Sequence, residues 1–423
     1  MMSLKSYDDY TNSNISIIGE IPSHWRIEKL KHISNVKPSN VDKKSKNNEP
    51  HILLCNYTDV YNNEFITMEL DFMKATASYE QIRKLSLNVG DIIITRDSES
   101  ADDIAVPAIV TKKLNNVVCG YHLAVIKPDT NFIHPKFLFR TFESGQINKQ
   151  FELCANGVTR FGLGTYPINN AYVYLPPLDE QIQIANYLDK ETSRIDKTIM
   201  MDEQLIQLLE EKRTRLINHV VTNGLNPNVP LKNSGVDWIG EIPKHWEVAF
   251  LKRFVFSVSS GKTNKIDENG KYPLYGSTGI IGSTNDMDYN GTYILIARVG
   301  ANAGKTHIAK GKMGITDNTL IVKYNSKINY KFLFYILSTY DFKTLTIGSG
   351  QPLITGNDVK NIKICIPDLN EQKHIVNYLD TEISNIENII FKIKEKINLL
   401  KEYKHSMIDH IVAGKIDVRS ENI

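Results

Sequence analysis

The chain is written twice, and that repeat limits its possible folds more than any other feature. Gly19-Glu20-Ile21-Pro22-Ser23-His24-Trp25 returns as Gly240-Glu241-Ile242-Pro243-Lys244-His245-Trp246, 221 positions later. Each copy leads into a Leu-Lys pair, Leu30-Lys31 and Leu251-Lys252. A second match sets the stretch from Leu175 to Asp196 against Ile366 to Glu387 at an offset of 191, with twelve of twenty-two positions identical. The second copy is therefore about thirty residues shorter inside. Between these ends only short echoes survive, such as Gly90 to Arg96 against Gly291 to Arg298, and KFLF at Lys136 to Phe139 and Lys331 to Phe334. The frame is shared and the filling is not, which suits a scaffold with two different recognition surfaces, because binding residues sit on variable loops while cores hold the fold. A duplication without functional asymmetry is the plainer reading of the same pattern.

Each second match opens a long helix. Asp179 and Asn370 are expected N-caps, followed by Glu180 and Glu371 at the positive helix end. Alternating steps of four and three give a seam of Ile195, Ile199, Asp202, Ile206, Leu209, Arg213, Leu216 and Val220. The other copy gives Ile386, Ile390, Ile393, Ile397, Leu400, Lys404, Met407 and Ile411, every member 191 positions after its partner. Two seams in one register invite packing together. Asn223 and Gly414, both tolerant of the left-handed conformation, are the expected stops. A helix of about forty residues is on the order of 60 Å long, enough to hold two domains more than one turn of DNA apart. The bland reading of the same seams is the core of an ordinary bundle.

These boundaries divide the 423 residues into a first domain over 1–178, a helix over 179–223, a second domain over 224–366, a helix over 367–414 and a tail over 415–423. Residues 1–178 carry 19 basic and 19 acidic side chains, residues 232–366 carry 17 and 10, and the remaining segments 14 and 19. A basic second domain beside acidic helices suggests that nucleic acid meets the globular parts and protein meets the helices. The neutral first domain holds a local run of Lys37, Lys43, Lys44 and Lys46, which reads first as a solvated loop. No apolar run approaches membrane-spanning length, and the amino terminus has no apolar stretch of the signal-peptide kind, so a cytoplasmic protein is expected. Cys55, Cys119, Cys154 and Cys365 lie far apart and are expected to be reduced and buried, with neither zinc site nor disulfide framework.

Catalytic signatures fail on inspection. Gly300-Ala301-Asn302-Ala303-Gly304-Lys305-Thr306 resembles a nucleotide-binding loop but has three residues between its glycines where four are needed. Pro367, Asp368, Glu371 and Lys373 imitate a nuclease signature across a helix start, and the repeat partner has Pro176, Pro177, Glu180 and Ile182. The Asn/Asp-Pro-Pro-aromatic run of amino-methyltransferases is missing, and Gly162 and Gly164 lack the strand-to-helix setting that cradles a cofactor. His24 and His245, beside Trp25 and Trp246, read as packing residues.

The twofold Gly-Glu-Ile-Pro-x-His-Trp segment, the repeated Leu178, Glu180, Gln181 and Leu369, Glu371, Gln372, and the long helix after each resemble the specificity subunit of type I restriction-modification enzymes over nearly the whole chain. The resemblance implies an α+β fold with two mixed α/β target-recognition domains separated by two long antiparallel coiled-coil helices in pseudo-twofold symmetry. It implies a non-catalytic chain that reads double-stranded DNA, each domain taking half of a bipartite site while the helices set the gap. Two methylation subunits would dock on the helices, and two restriction or motor subunits could join. S-adenosylmethionine, ATP and Mg would belong to those partners, with no cofactor and no metal in this chain. A standalone DNA-binding protein and an enzyme of unrecognised type are the rival readings.

Base reading favours Arg, Lys, Asn and Gln, while Ser, Thr and Tyr suit phosphates. In the first domain these types point to Asn56, Tyr57, Thr58, Arg96, Ser98, Tyr121, His122, Asn156 and Arg160. In the second they point to Ser260, Lys262, Thr263, Asn264, Tyr275, Ser277, Thr278, Arg298, Asn302, Lys305, Thr306 and Gln351. Arg96 and Arg298, at matching strand ends, form the best pair.

Overall fold

The computed structural model describes residues 5–262, 265–345 and 353–420. The chain divides into two compact units, Met1–Met201 with Glu395–Ile423, and Asp202–Lys394. Each of two long helices, Leu178–Asn223 and Leu369–Val412, gives one half to each unit.

In the first unit the buried run Ile92–Thr95 lies inside a five-stranded sheet of order Ser34–Pro38, Leu123–Pro128, Ile92–Thr95, Pro107–Val110, Phe65–Ile66. Its pairs are antiparallel except the last, where Phe65 and Ile66 run parallel to Ile109 and Val110. A strand apolar on both faces needs cover on both. The core that forms on it includes Ile93, Ala108 and Val125 with Ile52, Leu54 and Val118 from a smaller three-stranded sheet. Arg26–Lys29 pairs with Tyr172–Leu175, and that strand feeds the first long helix.

The second unit holds a six-stranded sheet, ordered Val255–Ser260, Thr319–Tyr324, Tyr289–Ala297, Thr306–Ile315, Tyr272–Gly276, Gly279–Thr284. Glu247–Phe250 pairs with Lys363–Ile366 to feed the second long helix, repeating the arrangement of the first unit. Its core includes Ile294, Ile296, Leu320 and Val322 with Trp246, Phe332 and Ile364.

The Glu-Gln pair at each helix start ties the repeated segment down. Glu180 accepts from the Tyr7 hydroxyl at 2.6 Å and the Trp25 indole at 3.1 Å, and meets His24 Nε2 at 2.9 Å. Glu371 meets His245 Nε2 at the same distance, but the buried Trp246 indole N–H has no partner among the described residues. The Gln181 side chain accepts from the His134 amide and donates to the carbonyls of Phe132 and Pro176, while Gln372 accepts from the Asn329 amide and donates to Pro367. His24 and His245, read from the sequence as packing residues, are both exposed, and each holds the glutamate at a helix start.

Three local expectations are corrected. The helices start at Leu178 and Leu369, so the caps stand earlier than Asp179 and Asn370, and Asp368 Oδ1 accepts from the amides of Asn370 and Glu371. Asn223 is helical, and the left-handed residue closing the first helix is Gly224, at φ +75°, while Gly414 closes the second at φ +68°. A side chain at Gly414 would also press within 2.6 Å of the Pro22 ring. Cys154 is exposed, and the other three cysteines are buried, with burial pushing the Cys365 thiol up to about 12.

All seam positions are buried or half-buried. In the first unit Lys404 Nζ meets Asp196 at 2.7 Å, and nearer the ends Gly414 lies against Trp25, which donates to Glu180. One helix therefore descends from 196 to 180 as the other climbs from 404 to 414. In the second unit Arg213 meets Glu387 at 3.6 Å and Gly224 lies beside Glu371. The helix halves run antiparallel in each unit, with paired residue numbers adding to 600 in both ion pairs.

Candidate nucleic-acid interface

Leu123 faces Thr95, Ala124 faces Pro38 and Pro107 faces Ile94, so one end of the first sheet collects the loops that follow Pro38 and Thr95 and precede Leu123 and Pro107. Arg96 stands at this end. Its amide donates to the His122 carbonyl at 2.8 Å, its carbonyl accepts from the Leu163 amide, and its Nε donates to the Leu163 carbonyl at 3.1 Å. That returning segment pairs Phe161 with Ser98, bringing the exposed Arg160 alongside. His122 adopts φ +71° and bonds the Asp97 carboxylate, while Tyr121 stands edge-on to its ring and its amide reaches Val41. The Cys55 carbonyl accepts from Gly120, which draws in the short helix after Asn56. There the Tyr57 hydroxyl meets Ser98, and burial followed by the charge of Asp103 raises its pKa.

The other first-unit candidates take lesser places. The Asn56 amide donates to Asp59 at 2.7 Å at the helix cap, and Thr58 is exposed. Asn156 pairs with Gly162 through the backbone and donates from its side chain to Cys154. An open groove of about 950 Å³ beside this cluster is lined by Lys37, Asn40, Lys46, Lys84, Arg96 and Tyr121. Sequence reading placed Lys37 and Lys46 in a solvated loop and passed over Lys84, which carries no motif. Only the fold brings the three beside Arg96.

In the second unit the turn from Thr316 to Thr319 is the gathering point. Gly261, between Ser260 and Lys262, donates to the Thr319 carbonyl, and a Cβ there would lie 2.4 Å from two carbonyl oxygens, so only glycine fits. Tyr275 accepts from Thr316, and the Arg298 amide donates to Asn318. The Arg298 carbonyl accepts from the Ile354 amide. Arg298 thus repeats the backbone bonds of Arg96 with Asn318 for His122 and Ile354 for Leu163. Its buried Nε has no partner among the described residues.

Beyond Arg298 the turn Gly300–Gly304 closes through Ala297 and places Asn302, the exposed Lys305 and Thr306 next to it. Ser277 and the exposed Thr278 form the hairpin turn after Tyr272–Gly276, where the Ser277 backbone bonds the His307 ring. Burial lowers the His307 pKa. Lys262 reaches Asp288 at 3.4 Å. Thr263, Asn264 and Gln351 lie outside the described residues. Among the described residues no cluster of His, Cys, Asp or Glu could hold a metal ion.

The family model for the type I restriction modification DNA specificity domain matches residues 22–211 and again 243–399, one stretch for each copy of the repeat. The chain belongs to this specificity-domain family. Its relatives include the putative type I restriction enzyme MjaX specificity subunit of Methanocaldococcus jannaschii, 28% identical, with 95% of this chain and 96% of that one covered. The type I restriction enzyme MjaVIII specificity subunit of the same organism is 27% identical, with 95% of each chain covered. Among solved structures, a chain from a type I R-M system superposes with a TM-score of 0.72 at 19% identity over 94% of this chain and 99% of that one. The HsdS subunit from Thermoanaerobacter tengcongensis superposes at 0.56, also 19% identical, covering 94% and 98%. Specificity subunits of this family share the mixed α/β units and long helices described above. No helix among the described residues is long and apolar enough to cross a membrane.

Proposed function

We propose that the chain reads a bipartite, asymmetric site on double-stranded DNA, one half with the loops around Arg96 and the other with those around Arg298. The long helices fix the unspecified gap and dock two methylation subunits, and two restriction or motor subunits complete the larger assembly. Methyl transfer from S-adenosylmethionine and ATP- and Mg-dependent cleavage belong to those partners, and this chain supplies no catalytic group. The observation that carries the reading is the shared frame of Arg96 and Arg298. The two strand ends have the same backbone bonds, yet the surrounding loops differ in length and composition, as two readers of unlike half-sites require. Lysines near both, the half-buried Lys37 and the exposed Lys84, Lys262 and Lys305, suit phosphate contacts that set position without reading sequence.

Mapping modified adenines in a cell that carries the chain with its methylation partner tests this. The expected result is one split motif with a fixed gap. A continuous motif, or modification unaltered when the chain is deleted, would sink the proposal.

A further inference from the structure

The repeat provides an internal control for one feature that differs sharply between the units. In the first unit a charge network is buried where the helix Pro135–Phe142 meets the long helices. Arg140, only 1% exposed, has Nη1 at 2.6 Å from Glu64 and 2.8 Å from Glu143, and Nη2 at 3.0 Å from Asp189. Lys404 Nζ lies 3.3 Å from the other Glu64 oxygen. Glu64 reaches this place because Phe65 pairs parallel with Ile109, whose amide donates to the Glu64 carbonyl. The Phe65 ring then packs on Phe139, with centroids 6.4 Å apart.

By the offsets of the repeat, Lys404 corresponds to Arg213, Asp189 to Asp380, Asp196 to Glu387, and Phe139 and Arg140 to Phe334 and Tyr335. These counterparts assemble the same framework in the second unit, and Tyr335 takes over the bond of Arg140 by donating to Asp380 at 2.7 Å. Among the described residues no segment takes the place of Glu64–Phe65 there. The strand that runs parallel there, Tyr272–Gly276, pairs with Gly314 and Ile315, well past Ile308, the residue equivalent to Ile109. What remains is a cavity of about 620 Å³, lined among others by Arg213, Lys331, Phe334, Tyr335 and Thr306. Arg213 meets Glu387 at 3.6 Å, where Lys404 has both Asp196 at 2.7 Å and Glu64 at 3.3 Å.

We propose that this cavity receives, from another protein, a polypeptide segment with a carboxylate side chain followed by an aromatic one, seated as Glu64 and Phe65 are seated in the first unit. The carboxylate binds Arg213 and the ring packs on Phe334. The volume is in the range of small ligand sites and accommodates two such side chains. A charge-assisted bond to arginine supplies the orientation. The first unit holds its own occupant, so the two quasi-equivalent places differ in what they accept. This inference does not depend on the DNA-reading assignment, and a split methylation motif would be found whether or not it holds.

The probe is a fluorescent peptide of residues 61–67 of this chain, titrated with the full-length protein. Saturable binding with a Kd below about 1 mM is expected. A Gln in place of Glu64 in the peptide, or Arg213→Ala in the protein, should weaken binding about tenfold or more. Glu387→Gln, which leaves the cavity framework intact and removes the competing carboxylate, should not weaken it. No saturable binding, equal binding by the Gln peptide, or equal binding by the Arg213→Ala chain with its helix content unchanged would each overturn the proposal.

Discussion

Arg96 and Arg298 share their backbone bonds but differ in what their guanidinium groups do. Arg96 commits its Nε to the Leu163 carbonyl and so helps hold the returning segment that pairs with Ser98, whereas Arg298 Nε has no partner among the described residues. Replacing Arg298 by Ala should therefore weaken DNA binding by about 1 to 3 kcal/mol and relax selection at one base, measurable by competition binding with single-base variants of the site. Arg96→Ala should cost selection at more than one position, because it also loosens the Leu163 segment. Glu143 makes a different prediction. Burial pushes it up to about 7 despite Arg140 at 2.8 Å, and neighbouring Glu64 adds to the rise while Lys404 opposes it. A carboxyl that keeps its proton longer when folded than unfolded stabilises the fold at low pH and loses that contribution as pH climbs from about 4.5 to about 7. Glu143→Gln should flatten this part of the stability profile by on the order of 1 kcal/mol, as followed by thermal melts across that range. A wild-type profile already flat there would contradict it.

At the scale of elements, the two helix starts differ in how much depends on one carboxylate. Glu180 is buried and satisfies three side-chain partners, while Glu371 is half-exposed and its carboxylate bonds the His245 ring. Glu180→Ala should cost about 2 to 4 kcal/mol by leaving buried donors unpaired, and Glu371→Ala about 1 kcal/mol or less, a contrast that denaturant titration reads directly. The antiparallel register also dictates how a spacer must be lengthened. Insertions 191 positions apart, near Leu209 and Leu400, would shift one helix against the other, whereas sites adding to 600, after Met200 and Leu400, keep the partners aligned. Seven residues at each of these two points preserve the seam and add about 10 Å, so the gap in the methylated motif should widen by about three base pairs. An unchanged gap would remove the spacer role.

The seams themselves were legible because the period and the repeat both mark them, and the elements they predict are there. Caps were misjudged by one or two residues because Asp368, Asn370 and Asp179 are all chemically fit to cap, and only backbone geometry chooses among them. The candidate residues around Arg96 and Arg298 were chosen by type and strand position, which survive duplication, and the fold gathers most of the described ones at the two sheet ends. The groove lysines and the Glu64–Arg140–Lys404 network were not legible, since residues so far apart in sequence share neither spacing nor periodicity.

For the molecule as a whole, the proposed role as a reader that leaves chemistry to others is open to a direct assay. The purified chain, given a methyl donor and DNA containing its site, should transfer no methyl groups, and transfer should begin when the methylation partner is added. Radiolabel incorporation by the chain alone would contradict this. The division of each long helix between two units has a consequence for biosynthesis. The second unit, Asp202–Lys394, is one continuous stretch, but the first, begun earlier on the ribosome, lacks Glu395–Ile423 until the second has been made. Lys404, which meets Glu64 at 3.3 Å, and Gly414, which closes against Trp25, both follow the second unit in the chain. The region translated first is thus completed after the region translated second, and until then Glu64 lacks its second cation and the Trp25 ring lacks the Gly414 backbone beside it.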